Sequence, residues 1–160
     1  MGYADSQPPL SRGDARSESN VELVAELHRR QAAMYAGGDT APVAELLDPG
    51  IVWHVPGTSP IAGEHRGREA VLDYFRRRRE LARGTMRMHP RGWLAEGDAV
   101  VQLVDGSAEL GGQSVRWHTV GVYRIRDGRV AEVWLVPLEL DEFERIWGGS
   151  EAAGGAPAHG

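Results

Sequence analysis

Apolar and polar positions alternate most clearly in two runs near the C-terminal end. The first reads Val-Arg-Trp-His-Thr-Val-Gly-Val-Tyr-Arg-Ile-Arg from Val115, the second Arg-Val-Ala-Glu-Val-Trp-Leu-Val-Pro from Arg129. Asp127-Gly128 separates them. This is the strongest short-range hairpin signal a sequence offers, because a type I′ turn needs positive φ at both central residues. With a two-residue turn Arg126 pairs with Arg129, and counting places Tyr123 opposite Glu132, Val122 opposite Val133 and Gly121 opposite Trp134. One side then carries Trp117, Thr119, Gly121, Tyr123, Glu132 and Trp134. The other carries Arg116, His118, Val120, Val122, Arg124, Ala131, Val133 and Leu135.

Upstream, Ser19-Asn20-Val21-Glu22 has the form of a capping box, so a helix is expected from there to Gly37-Gly38. Its apolar stripe is Val24, Leu27, Met34 and Tyr35, with Gln31 on the same stripe. A short helix over residues 40–47 and a strand Ile51-Val52-Trp53-His54-Val55 follow, the strand ended by Pro56-Gly57. Residues 58–67 read as a loop of the length that lines sites. A helix over residues 68–83 shows Val71, Leu72, Phe75 and Ala82 on one face. Strands are expected near 85–94, 99–108, 116–125 and 130–136, and a last helix has Leu140, Phe143 and Trp147 as its stripe. Residues 1–18 and 148–160 read as disordered tails around one domain, 19–147. Early helices and late strands imply an α+β fold, a curled antiparallel sheet wrapped by the N-terminal helices into a conical barrel.

Composition narrows the chemistry. The chain has 160 residues and no cysteine, so disulfides, thiolate metal sites and thiol nucleophiles are excluded. A net charge of −5 argues against nucleic acid as a partner. With neither a signal-like nor a membrane-spanning stretch, a cytoplasmic protein without membrane contact is expected. His65, His89 and His118 lack metal-motif spacing, so no metal or other cofactor is expected.

The chain resembles the nuclear-transport-factor-2-like superfamily, in its SnoaL-like polyketide cyclase and ketosteroid-isomerase-related group. The likeness lies in Trp53-His54-Val55-Pro56-Gly57, Gly63, Gly67, Ala70-Val71 and Tyr74-Phe75. It continues through the stretch from Val122 to Val130 and in Glu132-Val133-Trp134, and it spans roughly residues 20–147. The resemblance implies a conical pocket, a small organic substrate that is bulky, apolar and polyketide-like, and a homodimer formed through the open sheet. Ketosteroid isomerases carry a carboxylate base, a tyrosine and a protonated Asp at slots that hold Val55, Gln31 and Gly121 here. SnoaL-like cyclases and limonene-type epoxide hydrolases carry an Asp where Leu135 stands. The familiar carboxylates are missing. The expected function is therefore a cyclase or isomerase working mainly by shape and orientation, with ring closure of the cycloaddition type as one form. A non-catalytic binder and an epoxide-hydrolase-like enzyme are the alternatives.

Within that pocket His118 and His54 are the candidate catalytic groups, each a general acid or base if it faces the cavity and a structural histidine if not. Trp53 alternates with His54 and is the one expected inward. Gln31, Tyr35, Val55, Trp117, Tyr123, Val133, Trp134 and Leu135 complete the candidate substrate-binding set, with Glu132 the carboxylate nearest to it. The run Arg76-Arg77-Arg78-Arg79 reads as a solvated helix surface.

Overall fold

A computed structural model describes residues 14–155 of the chain. Helix α1 (Ala15–Tyr35) is capped by Asp14, whose carboxylate accepts from the Ser17 amide at 2.7 Å. It thus starts ahead of the Ser19 capping box, and residues 15–18, expected in a tail, form its first turn. Helix α2 (Ala41–Ala44) leads to strand β1 (Leu47–Val55). Strand β2 (Gly63–Arg66) then lies within the stretch expected to be a loop. It is bonded to β1 in antiparallel register from Val52 opposite Arg66 to Val55 opposite Gly63. Helix α3 (Arg68–Ala82) precedes four strands: β3 (Arg87–Glu96), β4 (Ala99–Leu110), β5 (Gln113–Arg126) and β6 (Arg129–Pro137). Helix α4 (Leu140–Gly155) closes the order and runs past Gly148, where a tail was expected. Residues 1–13 and 156–160 of the expected tails lie outside the described residues.

The fold is α+β. Six strands form one curled sheet in the order β2-β1-β6-β5-β4-β3, with β1 parallel to β6 and every other pair antiparallel. The sheet does not close into a barrel: β2 and β3 are its edges. Helix α1 packs on β3 and β4, and α3 on β1, β2 and β4, so the concave side is covered.

The hairpin has the expected turn, with φ of 51° at Asp127 and 73° at Gly128 and with Arg126 opposite Arg129. One residue later the register departs from simple counting. Ile125 faces Val130 but Arg124 faces Glu132, leaving Ala131 as a bulge. Because side chains alternate with period two, this extra residue turns the rest of β6 over. Tyr123 faces Val133, Val122 faces Trp134 and Gly121 faces Leu135. The concave face therefore holds Trp117, Thr119, Gly121, Tyr123, Val133 and Leu135, all buried. The outer face holds His118, Val120, Val122, Glu132 and Trp134. The space at Gly121, expected to receive an indole, is filled by the Tyr123 ring, which a Cβ there would meet at 2.5 Å.

Candidate functional site

The chemistry-bearing side chains fall into two groups, one on each side of the sheet. The inner group is built by α1, α3, β1 and β5. Trp53 points inward from β1 as expected, its ring edge-on to Phe75 at 4.9 Å and Tyr123 at 6.3 Å. Gln31, Tyr35, Val55, Trp117, Tyr123, Val133 and Leu135 are buried on this side as well.

At its centre stands Arg78, 2 % exposed. The expectation of a solvated arginine run fails here for a geometric reason. Val71, Phe75, Arg78 and Ala82 fall at successive positions of one helix face, and that face is the buried one. The neighbours divide as a helix dictates: Arg76 pairs with Asp73 at 2.6 Å, and Arg79 donates to the carbonyls of Met34 and Gly38. Arg78 instead lies over three rings, with its guanidinium carbon 5.0 Å from the centroid of Trp147, 5.5 Å from Tyr74 and 5.9 Å from Tyr35. Among the described residues no buried side chain is Asp or Glu, and Arg78 is the buried formal charge. No hydrogen bond of normal geometry reaches its Nε, the hydroxyls of Tyr35 and Tyr74, Trp53 Nε1 or Gln31 Oε1, although both hydroxyls lie near enough to the guanidinium to hold its pKa up against burial. Burial pushes the Tyr35, Tyr74 and Tyr123 hydroxyls up from their usual pKa, so all three remain neutral donors.

Next to this cluster His28, on α1, shares a 3.4 Å contact between its Nε2 and the Tyr123 hydroxyl, the rings meeting edge-on at 6.0 Å. Burial pushes its pKa down to about 4, leaving a neutral imidazole whose Nδ1 has no partner. None of His28, Tyr74 and Arg78 was among the candidate site residues read from the sequence. For Arg78 the signal was present, since it continues the Val71–Phe75 stripe. For His28 it was weaker, a polar residue beside Leu27 and three before Gln31.

Helix α4 seals this interior. Phe143, Ile146 and Trp147 are buried, and Trp147 packs on Trp117 at 5.2 Å. Trp117 lies in space that only a glycine at 106 leaves open, since a Cβ there would stand 2.1 Å from its indole. Glu144 latches the helix to the β1–β2 connection, accepting from the Thr58 amide at 2.7 Å and hydroxyl at 3.1 Å and from the Ser59 amide at 3.4 Å.

The outer group contains His54, Trp134 and His118. His54 and Trp134 line an open cleft of about 590 Å³ at the ends of β1 and β6, with Glu64, Val136 and Leu140; Val55 and Leu135 reach it from the inner side. The His54 ring stacks on Trp134 at 5.2 Å, its Nε2 lies 2.7 Å from Glu132 and its Nδ1 3.4 Å from Glu64, which Arg66 also pairs at 2.7 Å. His118 is separate again, 53 % exposed and 2.7 Å from Asp105, which also pairs with Arg91. The bulge is why Trp134 and Glu132, expected beside Tyr123, are here instead. His118 does not face the interior; Trp117 does. Among the described residues no group of His, Asp and Glu is placed to hold a metal ion, and no helix is long and apolar enough to cross a membrane.

A family model described as the SnoaL-like domain matches residues 28–133. Bal32a, from a soil-derived mobile gene cassette, is a solved structure similar to this chain at a TM-score of 0.74 and 32 % identity, over 82 % of this chain and 98 % of that one. An NTF2-like protein from Burkholderia xenovorans superposes with a TM-score of 0.69 at 18 % identity, covering 82 % and 97 %. TerC, co-crystallized with polyporic acid, superposes with a TM-score of 0.67 at 20 % identity, covering 80 % and 97 %. No curated protein sequence matches the chain.

Proposed function

The chain belongs to the SnoaL-like domain family, and on that premise we propose that it is a small-molecule cyclase or isomerase working between α1, α3 and the concave face of the sheet. The observation that carries this is the His28–Tyr123 pair, buried beside unpartnered hydroxyls in an interior otherwise lined by rings and aliphatic side chains. Enclosure orients a flexible substrate, which by itself lowers the barrier to ring closure. In the acid–base step a proton leaves the carbon next to a substrate carbonyl and is accepted by His28, directly or through the Tyr123 hydroxyl. The electron pair moves onto the carbonyl oxygen, where the neutral Tyr35 and Tyr74 hydroxyls donate to it. The carbon end of that enolate then attacks a second carbonyl carbon of the substrate and closes a ring, the electron pair of that C=O passing to its oxygen, which takes the proton back from His28; in an isomerisation the enolate is instead reprotonated by His28 at another position. That TerC, of the same fold, was co-crystallized with polyporic acid is in keeping with a small organic ligand in such an interior.

A carrier that binds without turnover is the second reading, favoured by the low pKa of His28, which makes it a weak base. Epoxide hydrolysis gains less support, because Leu135 faces the interior at the slot where an Asp would act. The discriminating measurement is hydrogen–deuterium exchange at the α-carbon of 1-tetralone, followed by proton NMR. The enzyme reading expects acceleration that drops about a hundredfold in His28→Gln and in Tyr123→Phe. Binding of the ketone without acceleration establishes the carrier, and absence of binding removes both.

A further inference from the structure

We propose that the interior is an anion-reading site: its ligands carry a negatively charged oxygen, as a carboxylate or an acidic enol, that is matched by the Arg78 guanidinium. The inference rests on the interior being the ligand site. It goes further by fixing the charge of what enters.

The starting point is what Arg78 does not do. Arg68 and Arg79, on the same helix, spend their guanidinium hydrogens on backbone carbonyls, Arg68 on Leu47 and Arg79 on Met34 and Gly38. Arg76 spends its own on Asp73 and Thr40. Arg78, the most deeply placed, has neither a backbone carbonyl nor a carboxylate partner among the described residues, and its Nε is unpaired. An arginine serving as a strut of the fold would have acceptors as its neighbours do. Ring faces attract the cation but accept no N–H bonds in its plane.

Most of the atoms around it are donors, Gln31 Oε1 being the unpartnered acceptor among them. Arg78 Nε and Trp53 Nε1 are donors only, and the neutral Tyr35 and Tyr74 hydroxyls each offer an O–H. A site made mostly of unspent donors around a fixed positive charge is complementary to an acceptor bearing negative charge. The planar guanidinium fork matches two oxygens of one carboxylate, or the oxygen pair of an enolised dicarbonyl. The aromatic walls then suit a flat, apolar body behind that group. Trp147 forms one wall and belongs to α4, so entry requires this helix to swing away from the Glu144 latch.

The test is a matched pair of probes on the full chain, 2-naphthoate and 2-naphthamide, which have nearly the same shape and differ in charge. Titration calorimetry should show the acid binding about tenfold tighter or more, as expected of a charge-assisted pair. Nuclear Overhauser contacts from naphthyl protons to the Trp53 and Tyr74 rings should place it inside. Arg78→Met should bring the acid down to the affinity of the amide while leaving the amide within about threefold, and Arg78→Lys should keep part of the preference. Circular dichroism checks that both variants fold. Equal binding of acid and amide with those interior contacts overturns the charge assignment and leaves the small-molecule reading standing. Failure of both probes to contact Trp53 or Tyr74 overturns the interior site itself.

Discussion

On the outer face of the sheet His54 is bonded to Glu132, Glu64 to Arg66, and His118 to the Asp105 that Arg91 also holds. On the inner face Arg78 meets three rings and no carboxylate. One strand serves both regions, with Trp53 facing in and His54 facing out. Yet the energetics differ in kind. The outer pairs are at least partly solvated, where an ion pair contributes at most about 1 kcal/mol and satisfies itself. The inner charge carries a desolvation cost of several kcal/mol that nothing of opposite sign offsets. Compensated charge is what a surface needs to stay soluble and folded. Uncompensated buried charge is a cost that folding alone gives no reason to keep, and it is the ground for proposing the interior, and not the open cleft, as the binding site.

The sharpest way to break the comparison is to delete one charge from each side. Arg78→Met keeps most of the side-chain volume and removes the buried charge, and it should raise the unfolding free energy by at least about 1 kcal/mol while abolishing selective binding of anionic probes. Glu132→Gln, outside, should change stability by less than about 1 kcal/mol and leave probe binding alone. Urea titrations of both variants against the parent decide it. If Arg78→Met destabilises by several kcal/mol, the guanidinium is a structural centre and the contrast between the faces collapses.

How much of this was legible beforehand follows from the same geometry. The alternation in β5 and the Asp127-Gly128 turn were readable, because both are local and have one low-energy solution. The side on which Trp134 and Glu132 fall was not, since a single bulged Ala131 reverses it and nothing in Arg-Val-Ala-Glu announces the bulge. Residues 63–66 were hidden because an edge strand of four residues needs a partner, β1, more than a pattern of its own. Arg78 was legible in position but not in character: its spacing from Phe75 put it on the buried face, while its charge argued for the surface. Where pattern and polarity conflict in this way, the conflict itself marks a candidate functional residue.

His28 provides the next test, because it distinguishes an interior that merely tolerates polar groups from one that keeps them uncharged. Its pKa of about 4 in the fold is below the ordinary value of 6.5, burial being the first cause. The unfolded chain therefore binds a proton that the folded chain refuses, as pH falls from about 6.5 to about 4. Stability conferred by the neutral imidazole is fully present above the unfolded pKa, is lost through that window, and is flat again below it. Integrated, the loss is of the order of 3 kcal/mol. Acidic side chains whose pKa the fold lowers, such as Glu64 and Asp105, add their own pH dependence at and below the acid end of this range. The measurement is accordingly a difference, the pH dependence of unfolding in the parent minus that in His28→Gln. A difference that stays level between pH 7 and pH 4 would mean that water reaches the imidazole and that the interior is not the dry site required for charge discrimination.

The smallest expected effect lies with His118, which the alternation of β5 offered as a cavity base. Its imidazole is on the outer face and half-exposed, and Asp105 would retain Arg91 if the histidine were removed. No buried polar atom is orphaned by its loss and no cavity is created, so none of the usual mechanisms for a large destabilisation applies. His118→Ala should shift the unfolding free energy by less than about 0.5 kcal/mol. Exchange of 1-tetralone protons, which by the present reading depends on His28 and Tyr123 across the sheet, should stay within about twofold of the parent. Were that exchange instead to fall as steeply in His118→Ala as in His28→Gln, the proton transfer would have to be placed on the outer face, beside Asp105 and Arg91.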